Sequence, residues 1–79
     1  MENEVQFYGM VAEKLGISKT SILIDFKGED VNVRDLIIDS YPLLKSMTFQ
    51  IAINNVIKEN ISSAEVGEII AILPPFAGG

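Results

Sequence analysis

The stretch that decides the fold of this chain is residues 69–75, IIAILPP. Its first five residues are all apolar, so neither face is polar, which is typical of a strand central to its sheet. Two prolines follow, and proline cannot donate a hydrogen bond to a neighbouring strand. The strand is therefore predicted to end at Leu73, and the rest of the chain has to supply its neighbours.

Three earlier segments alternate between apolar and polar residues, which is the pattern of half-buried strands: residues 5–8, 21–26 and 49–53. In the first of these, Val5 and Phe7 are predicted to face the core and Tyr8 to face outward. Asn54 and Asn55 tolerate the positive φ of a tight turn, which predicts a short returning strand over residues 56–58.

Two helices are predicted between the strands. A short one opens at Gly9 and ends at Gly16, which can adopt the left-handed conformation of a helix C-cap. The main helix begins near Asn32, whose side chain can cap free N–H groups, and ends near Tyr41 because Pro42 disrupts the next turn. Its core-facing residues follow the three-four spacing of an amphipathic helix: Val33, Leu36, Ile37 and Leu44.

These elements predict a single α+β domain in which one main helix crosses a mixed sheet. At 79 residues the chain has room for only one domain. We expect the folded domain to cover residues 1–73 and the last six residues, 74–79, to form an extended, flexible C-terminal tail.

The composition excludes several classes of function. The chain has no cysteine and no histidine, so thiol nucleophiles, disulfides and zinc-thiolate sites are excluded, and the commonest general base and metal ligand is missing. Asp35 and Asp39 lie four residues apart on the main helix, but a solvated helix face explains them without a metal. No bound cofactor and no metal site is predicted.

The charge and the apolar pattern also limit the kinds of partner that the chain can bind. The formal net charge is −5 and the six basic residues are scattered, which opposes binding to nucleic acid. No apolar stretch approaches the roughly 20 residues of a membrane helix, and the first residues lack the pattern of a secretory signal. We therefore expect a cytoplasmic protein without a membrane partner.

The last six residues, PPFAGG, are poorly suited to folding, and their chemistry is informative. The prolines stiffen the exit from the last strand, whereas Gly78 and Gly79 have no side chains and can enter a narrow channel. Such a tail can deliver its terminal carboxylate to another protein. Adenylyl transfer from ATP would turn that carboxylate into a mixed anhydride, and sulfur could then replace the leaving group to form a thiocarboxylate on Gly79.

Along nearly its whole length the sequence resembles the small subunit of molybdopterin synthase, a ubiquitin-like sulfur carrier. The segments that carry the resemblance are residues 5–9 (VQFYG), 12–15 (AEKL), 33–36 (VRDL), 52–54 (AIN) and 73–79 (LPPFAGG). The last is the most specific, because the family ends in an apolar residue, Pro-Pro, two variable positions and Gly-Gly. Residues 66–69 depart from the family, which often has acids where this chain has Val66 and Ile69.

The resemblance implies a ubiquitin-like β-grasp fold and a carrier subunit that is not itself catalytic. An adenylyltransferase of the ubiquitin-activating type would use ATP to charge Gly79. A larger synthase subunit, in a heterotetramer, would then take the sulfur into cyclic pyranopterin monophosphate for molybdenum cofactor biosynthesis. The catalytic side chains would lie on that subunit.

The residues expected to contact these partners are the tail and two outward positions on the sheet: Tyr8, Leu73, Pro74, Pro75, Phe76 and Ala77. Gly78 and Gly79 are the expected reactive end. Two alternatives stay open at this stage. One is a sulfur carrier of another pathway, such as thiamine synthesis, tRNA thiolation or protein conjugation; the other is a non-covalent β-grasp interaction module whose tail is inert.

Overall fold

The computed structural model describes residues 2–75. Within these residues, seven strands and two α-helices follow one another, with short 3₁₀ helices at Pro42–Ser46 and Ser63–Glu65. In chain order the elements are β1 Glu2–Phe7, α1 Gly9–Leu15, β2 Lys19–Leu23, β3 Val31–Asn32, α2 Val33–Ser40, β4 Gln50–Ile53, β5 Val56–Ile57, β6 Asn60–Ile61 and β7 Ile70–Leu73.

The main sheet has five strands in the order β2-β1-β7-β4-β5. Strand β7 lies at its centre, parallel to β1 and antiparallel to β4. The sheet is therefore mixed, and the prediction that residues 69–73 form its central strand is confirmed, with β7 beginning one residue later, at Ile70. Strands β3 and β6 form a separate two-stranded ladder, which the sequence pattern did not predict.

The core lies on one side of the five-stranded sheet, between the sheet and helix α2. Its buried apolar residues are Val5, Phe7, Val11, Ile22, Ile24, Val33, Ile37, Leu44, Phe49, Ile51, Ile53, Ile61, Ile70 and Ile72. The predicted core face of the main helix is confirmed for Val33 and Ile37, which are fully buried, while Leu36 is partly buried. Phe7 and Tyr41 meet edge to face, with ring centroids 5.4 Å apart.

Helix α2 begins and ends as the sequence predicts. The Asn32 side-chain oxygen accepts a hydrogen bond from the Asp35 backbone N–H at 2.9 Å, which satisfies one of the free donors of the first turn. Tyr41 is the C-cap, and Pro42 begins a 3₁₀ helix that the sequence pattern did not predict. That short helix carries Leu44 into the core.

Three predicted turn positions are confirmed, because each has the required positive φ. Gly16 caps α1 at φ +75°, and its N–H donates to the Ala12 carbonyl at 2.8 Å. Asn54 and Asn55 join β4 to β5 at φ +51° and +65°.

The second predicted strand was too long at its C-terminal end. Strand β2 stops at Leu23, although Ile24 beyond it is buried and Phe26 is half-buried. The alternation of apolar and polar residues correctly predicted which side chains face the core. It did not predict where the pairing of β2 with β1 ends. Strand β1 begins at Glu2, where it pairs with Leu23.

Candidate functional site

The outer face of the sheet, opposite the core, carries a row of small and apolar side chains. Strand register places Gln6 beside Ala71, Ala71 beside Ala52, and Ala52 beside Ile57. Ile57 is 55% exposed, so the row ends in a large apolar side chain that is open to solvent. We call Tyr8, Ala52, Ile57, Ala71 and Leu73 the outer patch.

Tyr8 and Leu73, two of the predicted partner-binding residues, lie side by side in the outer patch. Phe7 pairs with Ile72, so the next residue on each parallel strand points to the opposite face. Tyr8 is 44% exposed and its hydroxyl donates to the Gln6 side-chain oxygen. Leu73 is half-buried and pairs with Gln50.

Pro74 and Pro75, which follow the central strand, differ in their surroundings. Pro75 is exposed, whereas Pro74 is half-buried beside Gly9. Both prolines line an apolar cavity of about 270 Å³ whose other walls are Met10, Val11, Met47 and Thr48. The first predicted tail residue thus contacts the helical side of the domain.

The remaining predicted site residues, Phe76, Ala77, Gly78 and Gly79, lie outside the described residues. Of the predicted tail, residues 74–79, only Pro74 and Pro75 are therefore described. Their place in the sequence is nevertheless fixed, since they follow Pro75 directly.

Beside the outer patch is a second, more polar cavity of about 330 Å³. It is lined by Gln6, Tyr8, Asn54, Asn55, Gly67, Glu68, Ile69 and Ala71. Its rim includes the turn at residues 66–69, and Ile69 there is 46% exposed. This exposed isoleucine extends the apolar surface next to the outer patch.

Asn3 holds this turn in place from inside the domain. Its side chain is only 1% exposed, and its amide donates to the carbonyls of Glu65 and Glu68 at 3.0 and 2.8 Å. Position 3 lies on the core-facing side of β1, where an apolar residue is expected. A polar residue is tolerated there because its amide donates to two backbone carbonyls. The alternation of β1 did not reveal it, because the prediction began at Val5.

Two ion pairs stabilise the loops on either side of β6. The Arg34 guanidinium donates twice to one Glu59 carboxylate oxygen, at 2.7 and 2.9 Å, and this lowers the pKa of Glu59. Arg34 also donates to the Phe49 carbonyl at 2.9 Å and lies over the Phe49 ring. Lys58 donates to Glu65 at 2.5 Å, which lowers the pKa of Glu65.

Sequence reasoning missed Ala52 and Ile57 of the outer patch. The alternation of residues 49–53 placed Ala52 on the outer face, but only the pairing of β4 with β5 shows that Ile57 lies against it. The polar residues predicted for that face, such as Gln50, are present as well. A signal was available in the exposed hairpin itself, which carries Val56 and Ile57 directly after the Asn54-Asn55 turn.

Within residues 2–75, no three carboxylates come close enough together to hold a metal ion. No helix in that range has the length and apolar character needed to cross a membrane.

Comparison with known proteins identifies the fold. No family model matches the sequence, and no curated protein matches it closely. Solved structures do: SAMP1 from Haloferax volcanii matches with a TM-score of 0.73 at 20% identity, over 100% of both chains. A Pyrococcus furiosus protein assigned by name as molybdopterin converting factor, subunit 1, also has a TM-score of 0.73, at 18% identity over 96% of this chain and 99% of that one.

This chain has the ubiquitin-like β-grasp fold. A second structure of H. volcanii small archaeal modifier protein 1 agrees, with a TM-score of 0.71 at 19% identity over 95% of this chain and 98% of that one. The predicted fold class is thereby confirmed. In the β-grasp domain the outer patch and the end of β7 lie on one side of the sheet, opposite the core.

Proposed function

We propose that this β-grasp domain is a sulfur carrier that acts through the carboxylate of Gly79 as the small subunit of a molybdopterin synthase. The observation that carries the proposal is the course of the chain at its C-terminal end. The central strand of the sheet runs into Pro74-Pro75 beside an apolar surface, and the sequence continues through residues 76–79 to Gly78-Gly79.

The central position of β7 suits a carrier, because the strand is held firmly in the sheet while the reacting carboxylate of Gly79 lies six residues further along the sequence. Strand β7 is hydrogen-bonded on both sides, to β1 and to β4, and its inward residues Ile70 and Ile72 are fully buried. Strand β7 is therefore among the best fixed segments of the described residues. Residues beyond Pro75 can enter a partner without disturbing the core.

The proposed chemistry takes place at one carbonyl carbon and needs no other side chain of this chain. A Gly79 carboxylate oxygen attacks the α-phosphorus of ATP, and pyrophosphate leaves. Hydrosulfide then attacks the carbonyl carbon of the acyl adenylate, AMP leaves with the bonding pair, and the thiocarboxylate forms with release of a proton. The chain contains neither cysteine nor histidine, so an adenylyltransferase of the ubiquitin-activating type supplies the catalytic groups.

The outer patch is the surface through which such partners would hold the domain. Its apolar residues are contiguous by register and reach the start of the tail at Leu73. Tyr8 and Ile57 are the exposed members of the patch, at 44% and 55%, and exposed apolar side chains grouped on one face are typical of protein interfaces. Binding there would place the tail at the partner's active site.

The finer assignment, transfer to cyclic pyranopterin monophosphate, is supported by the LPPFAGG ending and by the structural likeness to a protein named for that pathway. A larger synthase subunit would receive residues 74–79 and carry the catalytic side chains. The same likeness supports a second candidate, because two of the matching structures are a small archaeal modifier protein. In that role a lysine amine of a target protein attacks the adenylate, and an isopeptide bond replaces the bond to AMP.

A transfer assay with a truncated control tests the proposal. The full-length chain is charged, isolated, and mixed with a large synthase subunit and cyclic pyranopterin monophosphate, in parallel with a chain ending at Ala77. We expect the full-length chain to yield molybdopterin and the truncated chain to yield none, with equal melting temperatures.

Other outcomes separate the rivals. An isopeptide-linked adduct on a target lysine, without molybdopterin, supports the modifier. Equal partner function from the truncated chain would show that the tail is inert and that the domain is a non-covalent interaction module.

A further inference from the structure

Strand β1, helix α1 and the end of β7 meet at Tyr8 and Gly9. The Tyr8 N–H donates to the Ile72 carbonyl at 3.1 Å, as a bond of the parallel pairing between β1 and β7. In a parallel ladder the next bond would run from the N–H of residue 74 to the Tyr8 carbonyl. Residue 74 is proline and has no N–H, so this bond cannot form.

The Tyr8 carbonyl accepts hydrogen bonds from helix α1 instead. The donors are the N–H groups of Val11 and Ala12, at 3.2 and 3.5 Å. The first turn of the helix supplies the donors that residue 74 cannot supply. Pro74 thus ends the parallel ladder at the residue where β1 turns into α1, and the chain leaves the sheet there.

Gly9 makes room for Pro74 at this point. Its φ is +56°, a conformation that strains any residue with a side chain. A Cβ at position 9 would also lie 3.1 Å from Cγ and 3.6 Å from Cδ of Pro74, so the proline ring would have to move. Glycine at position 9 therefore allows both the positive φ of the backbone and the close contact with Pro74.

We propose that Gly9 is a positioning residue that sets where the C-terminal tail leaves the domain. Because Gly9 has no Cβ, the Pro74 ring can pack against the first turn of α1. This packing sets the position of Pro74, from which the chain continues toward Gly79. The inference rests on the proposed carrier function, in which the Gly79 carboxylate has to meet ATP in a partner's active site. An added Cβ at position 9 would require the Pro74 ring to give by a few tenths of an ångström. Because a misplacement of about 1 Å can lower a reaction rate about 100-fold, a shift of that smaller size is expected to lower it about threefold.

Gly16, the C-cap at the other end of α1, provides a matched control. It ends α1 at φ +75°, so alanine there meets the same kind of backbone strain. A Cβ at position 16 has nothing within 4 Å. Gly9→Ala and Gly16→Ala therefore share the strain and differ in the contact with Pro74.

The experiment compares wild type, Gly9→Ala and Gly16→Ala as full-length chains. Charging of Gly79 by the adenylyltransferase with ATP and sulfide is followed by intact mass across carrier concentrations. We expect both variants to melt several degrees below wild type. We expect Gly9→Ala to lower the maximal charging rate about threefold or more, while the half-saturating concentration stays at the wild-type value because the outer patch still docks. Gly16→Ala should charge at the wild-type rate.

A structural readout accompanies the rates. Nuclear Overhauser contacts between the Pro74 ring protons and the Gly9 backbone should be present in wild type and in Gly16→Ala and weakened in Gly9→Ala. Equal charging rates for the two variants, or unchanged Pro74 contacts in Gly9→Ala, overturn the positioning role. A wild-type chain that gains no sulfur overturns the carrier function itself, so the two failures are distinguishable.

Discussion

The two faces of strand β7 carry similar residues in different surroundings. Ile70 and Ile72 point into the core and are fully buried, whereas Ala71 and Leu73 point to the outer face and are half-buried. Burial of a whole isoleucine side chain stabilises a domain by roughly 1.5–3 kcal/mol, and a half-buried side chain contributes correspondingly less. One face of the strand therefore stabilises the fold, and the other remains available to a partner.

The largest effect should come from truncating the inner face. Ile72→Ala removes a fully buried side chain at the centre of the sheet, and we expect the free energy of unfolding to fall by about 2–5 kcal/mol in urea denaturation. Leu73→Ala, one residue away on the outer face, should cost less than half as much. Equal losses at the two positions would remove the distinction between the faces.

A polar residue on the inner face gives the next largest effect. Asn3→Ala leaves the carbonyls of Glu65 and Glu68 without their amide donor, which should cost about 1–3 kcal/mol of unfolding free energy. Asn60→Ala is the control, because Asn60 is exposed and its side chain accepts one solvent-exposed hydrogen bond, from Asn32 at 3.3 Å, so its loss should stay below about 1 kcal/mol. Thermal unfolding of both variants measures the two losses. An Asn3→Ala variant as stable as wild type would mean that the turn does not depend on the hydrogen bonds from Asn3.

The outer face should matter for binding. Leu73→Ala is expected to weaken the complex with the adenylyltransferase about tenfold, since an apolar contact at the centre of an interface is worth about 1.4 kcal/mol or more. Leu23→Ala serves as the control: Leu23 is 71% exposed and lies on edge strand β2. Titration calorimetry should show a near wild-type Kd for Leu23→Ala. The same Kd for both variants would place the interface elsewhere.

The smallest effect concerns pH. Hydrogen bonds from Arg34 hold the pKa of Glu59 below its ordinary value of 4.5 in the folded state. The contribution of this pair is therefore complete above pH 4.5 and is lost as the pH falls below it. Solvent screening keeps it under about 1 kcal/mol, because the Glu59 side chain is 47% exposed. Glu59→Gln should flatten the stability curve below pH 4.5; an unchanged slope would assign the acid sensitivity to other carboxyls.

The sequence predicted the architecture because local signals agreed with one another. Asn32 as helix cap, Pro42 after the main helix, and Asn54-Asn55 as a tight turn each act within a few residues, and the structure has all three. The apolar run before Pro74 predicted the central strand for the same reason. Short ladders such as β3 with β6 depend on pairing between distant residues, which alternation does not report.

The candidate site was predicted less completely, for a related reason. Tyr8 and Leu73 follow from alternation along single strands, but Ile57 joins them only through the pairing of β4 with β5. The contact between Gly9 and Pro74 joins residues 65 positions apart through the parallel register of β1 and β7. The local sequence predicted Gly9 at the start of α1 and Gly16 at its end, but it gave no sign that Gly9 contacts Pro74.

The central claim is that Gly79 carries sulfur, and the intact mass of the chain tests it most directly. The protein is incubated with ATP, an adenylyltransferase of the ubiquitin-activating type and a sulfide source, and the product is mapped by fragmentation. The account predicts a mass gain equal to sulfur replacing one oxygen, located at Gly79. An unchanged mass with several such enzymes, each active on its own carrier, would contradict it.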